Sequence, residues 1–211
     1  MFGIVTDIKV QCRTCKTTRV LVRPVEPELI QLAELEGLKN GTSLADVIKR
    51  TFFNNREVNC EKPGCTDKAS KPAEEFITIP PEVIVIALNR FRQKSTNPKD
   101  IDLHKDRTKI SLSEWLNLQE HYGHPDLPRD TKLAYRLSSV IYHTGELTSG
   151  HYVTVARGPP SNWWRINDTV VESASSKMAL DYPAEDRNEP WVPYILTYVR
   201  TEPRKALKAG G

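Results

Sequence analysis

The stretch Tyr135–Val171, YRLSSVIYHTGELTSGHYVTVARGPPSNWWRINDTVV, decides how the rest of the chain is interpreted. Its first residues, YRLSSVIY, have the two-residue alternation of a β-strand. Two more β-rich runs follow, Tyr152–Ala156 and Trp163–Ile166, and the turn-forming sequence GPPSN separates them. The pattern predicts a hairpin that brings the start of one strand opposite the end of the next. His151 and Asn167 are then expected within hydrogen-bond reach of each other.

A histidine with an amide or a carboxylate behind it is a recurring part of nucleophilic active sites. The imidazole takes a proton from the nucleophile, and its partner fixes the tautomer and favours the imidazolium. For either histidine considered alone, a structural role in the hairpin is the simpler explanation. For His143 we expect that structural role, whereas His151 is interpreted together with the residues around it.

The stretch resembles the histidine box of the ubiquitin-specific proteases, a papain-like family of deubiquitinases. The residues that carry the resemblance are Tyr135, Leu137, His143, Gly145, Gly150, His151, Tyr152, Trp163, Asn167 and Asp168. The resemblance implies that His151 is the general base and that Asn167 is the third member of the triad. It also implies that Asp168 is an auxiliary acid, and that residues 145–150 form a mobile loop beside the channel for the ubiquitin tail.

The resemblance extends along nearly the whole chain, for example through Asn89-Arg90-Phe91 and the run Val192–Val199. It implies an α+β, papain-like cysteine protease fold that is only partly present. Residues of about 1–78 would form a fingers region with a zinc ribbon, and about 79–200 a palm built on an antiparallel β-sheet. Residues 201–211 would be a tail, and the family's thumb would be missing.

The four cysteines form two pairs, Cys12 with Cys15 and Cys60 with Cys65. A Cys-x-x-Cys turn directs both sulfurs at one point, and tetrahedral zinc requires two more ligands. We therefore predict one structural Zn²⁺ ion bound by all four. The alternative is a set of buried free thiols, which the wider spacing of the second pair leaves open.

The nucleophile that the resemblance requires is not found in the sequence, because no cysteine box of the family precedes Cys12. Cys12 lies a papain-like distance before His151, but a zinc-bound thiolate has little reactivity left for attack. The expectation is the C-terminal portion of a deubiquitinase that hydrolyses isopeptide bonds at the C-terminal glycine of ubiquitin. Alone it is expected to be inactive and to need a missing N-terminal half of the same domain.

Charge and hydropathy limit the classes of partner and the cellular location that we expect for the chain. A net charge of +3 is too small to favour nucleic acid or a membrane as partner, so a zinc-ribbon nucleic-acid binder is disfavoured. No apolar run reaches the ~20 residues of a membrane span, and Met1–Val10 lacks a signal core. We expect a cytoplasmic or nuclear protein whose partner is ubiquitin or a ubiquitinated protein. A non-catalytic, zinc-stabilised ubiquitin-binding or scaffold module is the main alternative.

The pattern of apolar and polar residues in the rest of the chain predicts further strands, helices and loops. Strands are predicted at Thr17–Val22, Lys71–Ile79, Val83–Leu88 and Val192–Val199, with Val83–Leu88 buried on both faces. Helices are predicted within Pro24–Asn40, from Ser43 onward to Phe52, at Ser111–Gln119 and at Glu172–Leu180. The aromatic pair Phe52-Phe53 and Glu57 match positions of the family that follow its short helix. Gln93–Lys109 and His121–Asp130 are predicted to be loops, the first of them exposed.

Overall fold

The structure is a computed structural model that describes residues 5–22, 30–56, 59–67, 71–93, 103–119, 127, 132–146, 149–183 and 190–202. Glu57, residues 94–102 of the predicted loop Gln93–Lys109, all of the predicted loop His121–Asp130 except residue 127, and the tail from 203 onward lie outside the described residues. Within them, no helix is both long and apolar enough to cross a bilayer.

Strands dominate the described part of the chain. The strands are β1 (Val5–Gln11), β2 (Thr18–Val22), β3 (Ile30–Glu34), β4 (Thr42–Ser43), β5 (Phe53–Arg56), β6 (Lys71–Ile79), β7 (Val83–Asn89), β8 (Phe91–Gln93), β9 (Leu103–Lys105), β10 (Ile110–Ser111), β11 (Trp115–Asn117), β12 (Ala134–Gly145), β13 (Gly150–Gly158), β14 (Asn162–Asn167), β15 (Val170–Ala174) and β16 (Val192–Arg200). The helices α1 (Leu44–Phe52) and α2 (Ser176–Leu180) accompany them.

The two largest sheets hold twelve of these strands, and β4 with β10 and β8 with β9 form two-stranded sheets. An eight-stranded sheet has the order β15-β14-β13-β12-β16-β7-β3, with β11 also paired to β12. A four-stranded sheet has the order β2-β1-β6-β5, and its strands pair antiparallel. The predicted strands at Lys71–Ile79 and Val192–Val199 are confirmed, as is the hairpin of β13 and β14. The hairpin lies in the large sheet, where it is supported by β12 on one side and β15 on the other.

The large sheet is mixed and not purely antiparallel, because β3 pairs parallel with β7. The helix predicted within Pro24–Asn40 was wrong over the residues that the structure describes. Ala33 and Leu35 are buried, whereas Leu32 before them is 55% exposed and Glu34 between them is also exposed. That two-residue alternation suits a strand at the edge of a sheet, and pairing with β7 outweighs the helical spacing of the leucines.

Three other sequence predictions need correction. Within Ser111–Gln119 the structure has the end of β10 and the strand β11 in place of a helix; Leu116 is buried but Trp115 is exposed. The predicted helix Glu172–Leu180 divides into the end of β15 and a shorter helix, α2, capped by the Ser175 side chain. β7 is buried along one face only, since Ile84, Ile86 and Leu88 alternate with partly exposed residues.

The prediction of a helix beginning after Ser43 is confirmed. The Ser43 hydroxyl accepts a hydrogen bond from the Asp46 backbone N–H at 3.1 Å, as an N-cap should. Val47 and Ile48 of α1 belong to the main hydrophobic core. The same core includes Val153 and Val155 of β13 and Trp163 of β14, so one face of the hairpin is fixed by packing.

A charged network joins β11 to the centre of the large sheet. The Glu114 carboxylate accepts hydrogen bonds from Arg136 at 2.8 Å and from Arg157 at 2.6 Å. The Arg157 guanidinium lies 4.7 Å from the Trp163 ring centre, and Arg136 lies 5.1 Å from that of Trp115. Hydrogen bonds from Arg157 and Arg136 lower the pKa of Glu114. The network therefore stabilises the folded state only while Glu114 is ionised.

We expect the free energy of unfolding to depend on Glu114 in acid. Because the folded-state pKa is lowered, the contribution is present above the unfolded value of about 4.3 and is lost as pH falls through the folded value. Glu114→Gln should therefore lower the free energy of unfolding at pH 7 and make it fall less steeply below about pH 4.3 than in wild type. Urea denaturation at a series of pH values measures both effects. Glu172→Gln, which removes the partner of Arg165 at a more exposed position, is the matched control. If the free energy of unfolding of Glu114→Gln fell below about pH 4.3 as steeply as that of wild type, this account would be contradicted.

Candidate active site

The hairpin of β13 and β14 brings His151 and Asn167 together. His151 is the second residue of β13 and Asn167 the last residue of β14. Val155 pairs with Arg165 in this hairpin, so odd-numbered residues of both strands face the same side. The imidazole Nε2 of His151 lies 2.6 Å from Oδ1 of Asn167. Because an amide oxygen only accepts, Nε2–H is the donor, and Nδ1 is the nitrogen that can take a proton.

Asp168 occupies the turn immediately after β14. Its φ of 52° lies in the left-handed region, which aspartate tolerates better than most residues. Its Oδ2 atom is 3.9 Å from Nε2 of His151, and the side chain is 76% exposed. That distance is too long for a hydrogen bond. The carboxylate can thus act on a protonated His151 only through a solvent-screened charge interaction.

The turn before His151 is packed too tightly for side chains at two positions. Gly145 has φ of +81°, and a Cβ there would lie 2.4 Å from the carbonyl oxygen of Ser149. A Cβ on Gly150 would lie 1.9 Å from Nε2 of His143. His143 is itself buried and packs against Tyr152, with 4.5 Å between the ring centroids. The close contact between Gly150 and His143 sets where β13 begins, and therefore where His151 lies.

We expect Gly150→Ala to destabilise the protein by about 1–3 kcal/mol, because the buried His143 ring cannot move aside without disturbing its neighbours. Chemical denaturation measures this change in the free energy of unfolding. Ser149→Ala, at the exposed neighbouring position, serves as the control and should have little effect. Equal stability of the two variants would show that the turn adapts and does not fix His151.

Sequence reasoning did not anticipate Lys105, which lies in the stretch that was predicted to be an exposed loop. In the structure Lys105 is 1% exposed and ends strand β9. Its Nζ atom donates a hydrogen bond to the carbonyl oxygen of Gly145 at 2.6 Å. Arg107 forms an ion pair with Glu146 close by. A lysine in a charged stretch gives no sequence signal of burial, so only the fold reveals these contacts with the turn before His151.

The four cysteines gather where β1 turns into β2. The Sγ atoms of Cys12, Cys15, Cys60 and Cys65 all lie within 4.8 Å of one another. The Cys12–Cys65 and Cys15–Cys60 separations are 3.8 and 3.5 Å. Tetrahedral zinc with Zn–S bonds of about 2.3 Å places its sulfurs about 3.8 Å apart. The donor set and its spacing fit a structural Zn²⁺ site.

Thr17 and Asp67 form hydrogen bonds with the cysteine cluster. Hydrogen bonds with the side chain and backbone of Thr17 lower the pKa of Cys15 to about 6, which favours the thiolate that binds metal. Asp67 accepts hydrogen bonds from Cys12 and from the Thr14 hydroxyl, each at 3.2 Å. Asp67 thereby joins the loop of the second cysteine pair to the turn of the first.

Comparison with known proteins identifies the family. The family model "Ubiquitin carboxyl-terminal hydrolase" matches residues 1–198. The chain belongs to the ubiquitin carboxyl-terminal hydrolase family. The expected resemblance to ubiquitin-specific proteases is thereby confirmed at the level of the family.

Similar ubiquitin carboxyl-terminal hydrolases are found in yeast and animals. Ubiquitin carboxyl-terminal hydrolase 10 of Saccharomyces cerevisiae is 29% identical over 146 residues, which cover 69% of this chain and 16% of that protein. Human ubiquitin carboxyl-terminal hydrolase 22 is 26% identical over 152 residues, covering 66% of this chain and 29% of that protein. The chain therefore spans only a fraction of the length of the hydrolases that it matches.

A solved hydrolase assembly shares the fold. The chain superimposes on the "Structure of the SAGA Ubp8/Sgf11/Sus1/Sgf73 DUB module bound to ubiquitin aldehyde" with a TM-score of 0.71. Identity is 19%, and the match covers 94% of this chain and 41% of the other. A second structure of that module, bound to monoubiquitin, gives a TM-score of 0.70 at 19% identity and covers 94% of this chain and 40% of the other. These likenesses place the chain in the papain-like fold of the hydrolase family.

Proposed function

We propose that this chain supplies the base-bearing part of a cysteine-type deubiquitinase, which hydrolyses isopeptide bonds at the C-terminal glycine of ubiquitin. The observation that carries the proposal is the 2.6 Å hydrogen bond between His151 Nε2 and Asn167 Oδ1 in a member of the ubiquitin hydrolase family. This bond sets the neutral tautomer in which Nδ1 is the basic nitrogen. An imidazole held in this way is suited to activate a thiol.

The proposed chemistry follows from that tautomer. Nδ1 of His151 takes the thiol proton, and the thiolate attacks the carbonyl carbon of the terminal glycine. The imidazolium then returns its proton to the leaving amine, and a thioester to ubiquitin remains. Water, deprotonated by the same nitrogen, hydrolyses the thioester. Asn167 keeps the imidazole oriented through both steps, while Asp168 contributes a weaker charge interaction with the imidazolium.

We propose that the thiol comes from a segment outside these 211 residues. The sequence holds four cysteines, and all four contribute to the cluster at β1 and β2. A thiolate bound to zinc has its reactive electrons engaged by the metal. The cluster is proposed to be the zinc ribbon of a fingers region, and residues of about 79–200 the palm. The hydrolases of known structure that match this chain are more than twice its length, which leaves room for such a segment.

Binding of ubiquitin to the chain tests the proposed substrate. Isotope-labelled monoubiquitin should show chemical-shift changes along its C-terminal tail when zinc-loaded chain is added. His151→Ala should bind ubiquitin about as well, because its proposed role is chemical and not one of affinity. Chemical-shift changes confined to other surfaces of ubiquitin, or no changes, would contradict the proposal that the palm binds the ubiquitin tail. Ubiquitin binding by the chain, together with no hydrolysis by a polypeptide that also carries the thiol, would favour a non-catalytic ubiquitin-binding module.

A further inference from the structure

Trp191 and His151 lie in one row across the large sheet. His151 on β13 pairs with Thr144 on β12. The next residue pair of β12, His143 with Val192, belongs to β16, and Trp191 immediately precedes Val192. Trp191 is therefore on the far side of Thr144 from His151. Side chains in one such row point to the same face of the sheet.

The indole reaches across Thr144 to contact the imidazole. The backbones of β13 and β16 are two strand spacings, or roughly 10 Å, apart across the sheet, yet the rings of Trp191 and His151 are 5.9 Å apart between centroids. Their planes meet at 71°, which is an edge-on contact of the kind that aromatic pairs favour. Thr144 is 4% exposed and is small enough for the indole to pass over it. The large aromatic side chain thus spans a gap that a shorter residue would leave open.

Trp191 is itself held firmly. It is 5% exposed, and its ring centroid lies 5.3 Å from that of Tyr182. Tyr182 in turn packs against Tyr142 at 5.1 Å, and its hydroxyl accepts a hydrogen bond from Nε of Arg165 at 2.5 Å. Two further aromatic rings, those of Tyr182 and Tyr142, therefore continue the packing that begins at the indole. This packing lets the indole limit the movement of the imidazole.

The indole N–H has no acceptor among the residues that the structure describes, although the atom is buried. Within that part of the chain, packing against other rings and not a hydrogen bond from the indole therefore fixes the position of Trp191.

We infer that Trp191 is a positioning residue that holds the His151 imidazole in the rotamer that reaches Asn167. The catalytic meaning of this role rests on the function proposed above, but the positioning itself does not. Asn167 fixes the ring at Nε2, and Trp191 restricts rotation of the ring by packing against it. Without the indole, the imidazole should sample rotamers in which the hydrogen bond to Asn167 is broken.

Three-bond couplings from backbone N and C′ to Cγ of His151 measure its rotamer populations in the zinc-loaded chain. Wild type should show one dominant rotamer, and Trp191→Leu should raise the population of the others roughly fivefold. Trp191→Phe, which keeps an aromatic ring but is shorter than the indole, should give rotamer populations between those of wild type and Trp191→Leu. Trp115→Leu removes an exposed tryptophan elsewhere and should change nothing. Trp191→Met provides a second large apolar replacement if the leucine variant does not fold.

The coupling measurements distinguish a failure of the proposed function from a failure of the inference about Trp191. Averaged couplings in wild type would remove the fixed pair of His151 and Asn167, and the proposed function would lose its main support. A single rotamer in wild type and equally in folded Trp191→Leu or Trp191→Met would overturn the inference about Trp191 alone. In a polypeptide that carries the thiol, Trp191→Leu should lower kcat several-fold while KM for ubiquitin stays constant. A rise in KM without a fall in kcat would contradict it.

Discussion

His151→Ala is expected to lower kcat/KM for ubiquitin hydrolysis by roughly 10²–10⁴-fold in a polypeptide that carries the thiol. The reason is that the thiol loses the base that deprotonates it and the acid that protonates the leaving amine. Because the ring contributes little to ubiquitin affinity in this account, the loss should appear in kcat and not in KM. Release of a fluorophore from the C-terminus of ubiquitin measures both constants.

His104→Ala is the matched control for this prediction, since His104 is an exposed histidine on β9. It should retain nearly full activity. Asn167→Ala should lie between the control and His151→Ala, because the base remains but loses the acceptor that orients it. If His151→Ala retained activity close to that of His104→Ala, then His151 would not be the general base.

Removal of one cysteine from the cluster should abolish stoichiometric metal binding. We expect about one Zn²⁺ per wild-type chain and almost none in Cys60→Ser, because a serine hydroxyl is a poor ligand for a zinc ion that three thiolates already surround. The loss of affinity should exceed the roughly 10–100-fold that is typical of changes to second-shell partners. Metal analysis after gel filtration measures the stoichiometry, and a thiol-reactive dye counts the sulfurs that become accessible.

Folding of the four-stranded sheet should change together with the metal. Cys12 and Cys15 lie in the turn that joins β1 to β2, and Cys60 and Cys65 lie between β5 and β6. A shared ion therefore links two connections that are distant in sequence, and a chelator should melt this sheet in wild type. Lys62→Ser, in the same loop as Cys60, should retain both metal and fold. Full zinc binding by Cys60→Ser would show that the cysteines are not the ligands.

Local pattern was sufficient to predict the hairpin that bears His151 and Asn167. The alternating residues of β13 and β14, the GPPSN turn and the pairing of the two strands agree with one another. The cysteine pairs were equally informative, because metal-binding spacing requires the sulfurs to converge and the structure brings all four within 4.8 Å. In both cases the constraint acts over a few residues, and the fold adds only the partner strands.

The predictions failed where pairing between strands distant in sequence outweighs the local spacing of apolar residues. The leucines near β3 have helical spacing, but the strand gains backbone hydrogen bonds from β7, a partner more than fifty residues away along the chain. The residues of β11 are strand because β12 leaves an open edge beside them. Lys105 and Trp191 gain their roles through contacts with Gly145 and His151 that no sequence window contains. Long-range contacts of this kind decide which residues surround the candidate active site.

Ubiquitin with an electrophile in place of its C-terminal carboxylate tests the central claim most directly. The claim is that this chain contributes the base and its orienting amide, while the reactive thiol is supplied from elsewhere. Zinc-loaded chain alone should remain unlabelled, and a polypeptide that joins it to the thiol-bearing segment should be labelled once, with the rate reduced by His151→Ala. Covalent labelling of the zinc-loaded chain alone, lost in Cys12→Ser, would contradict the account.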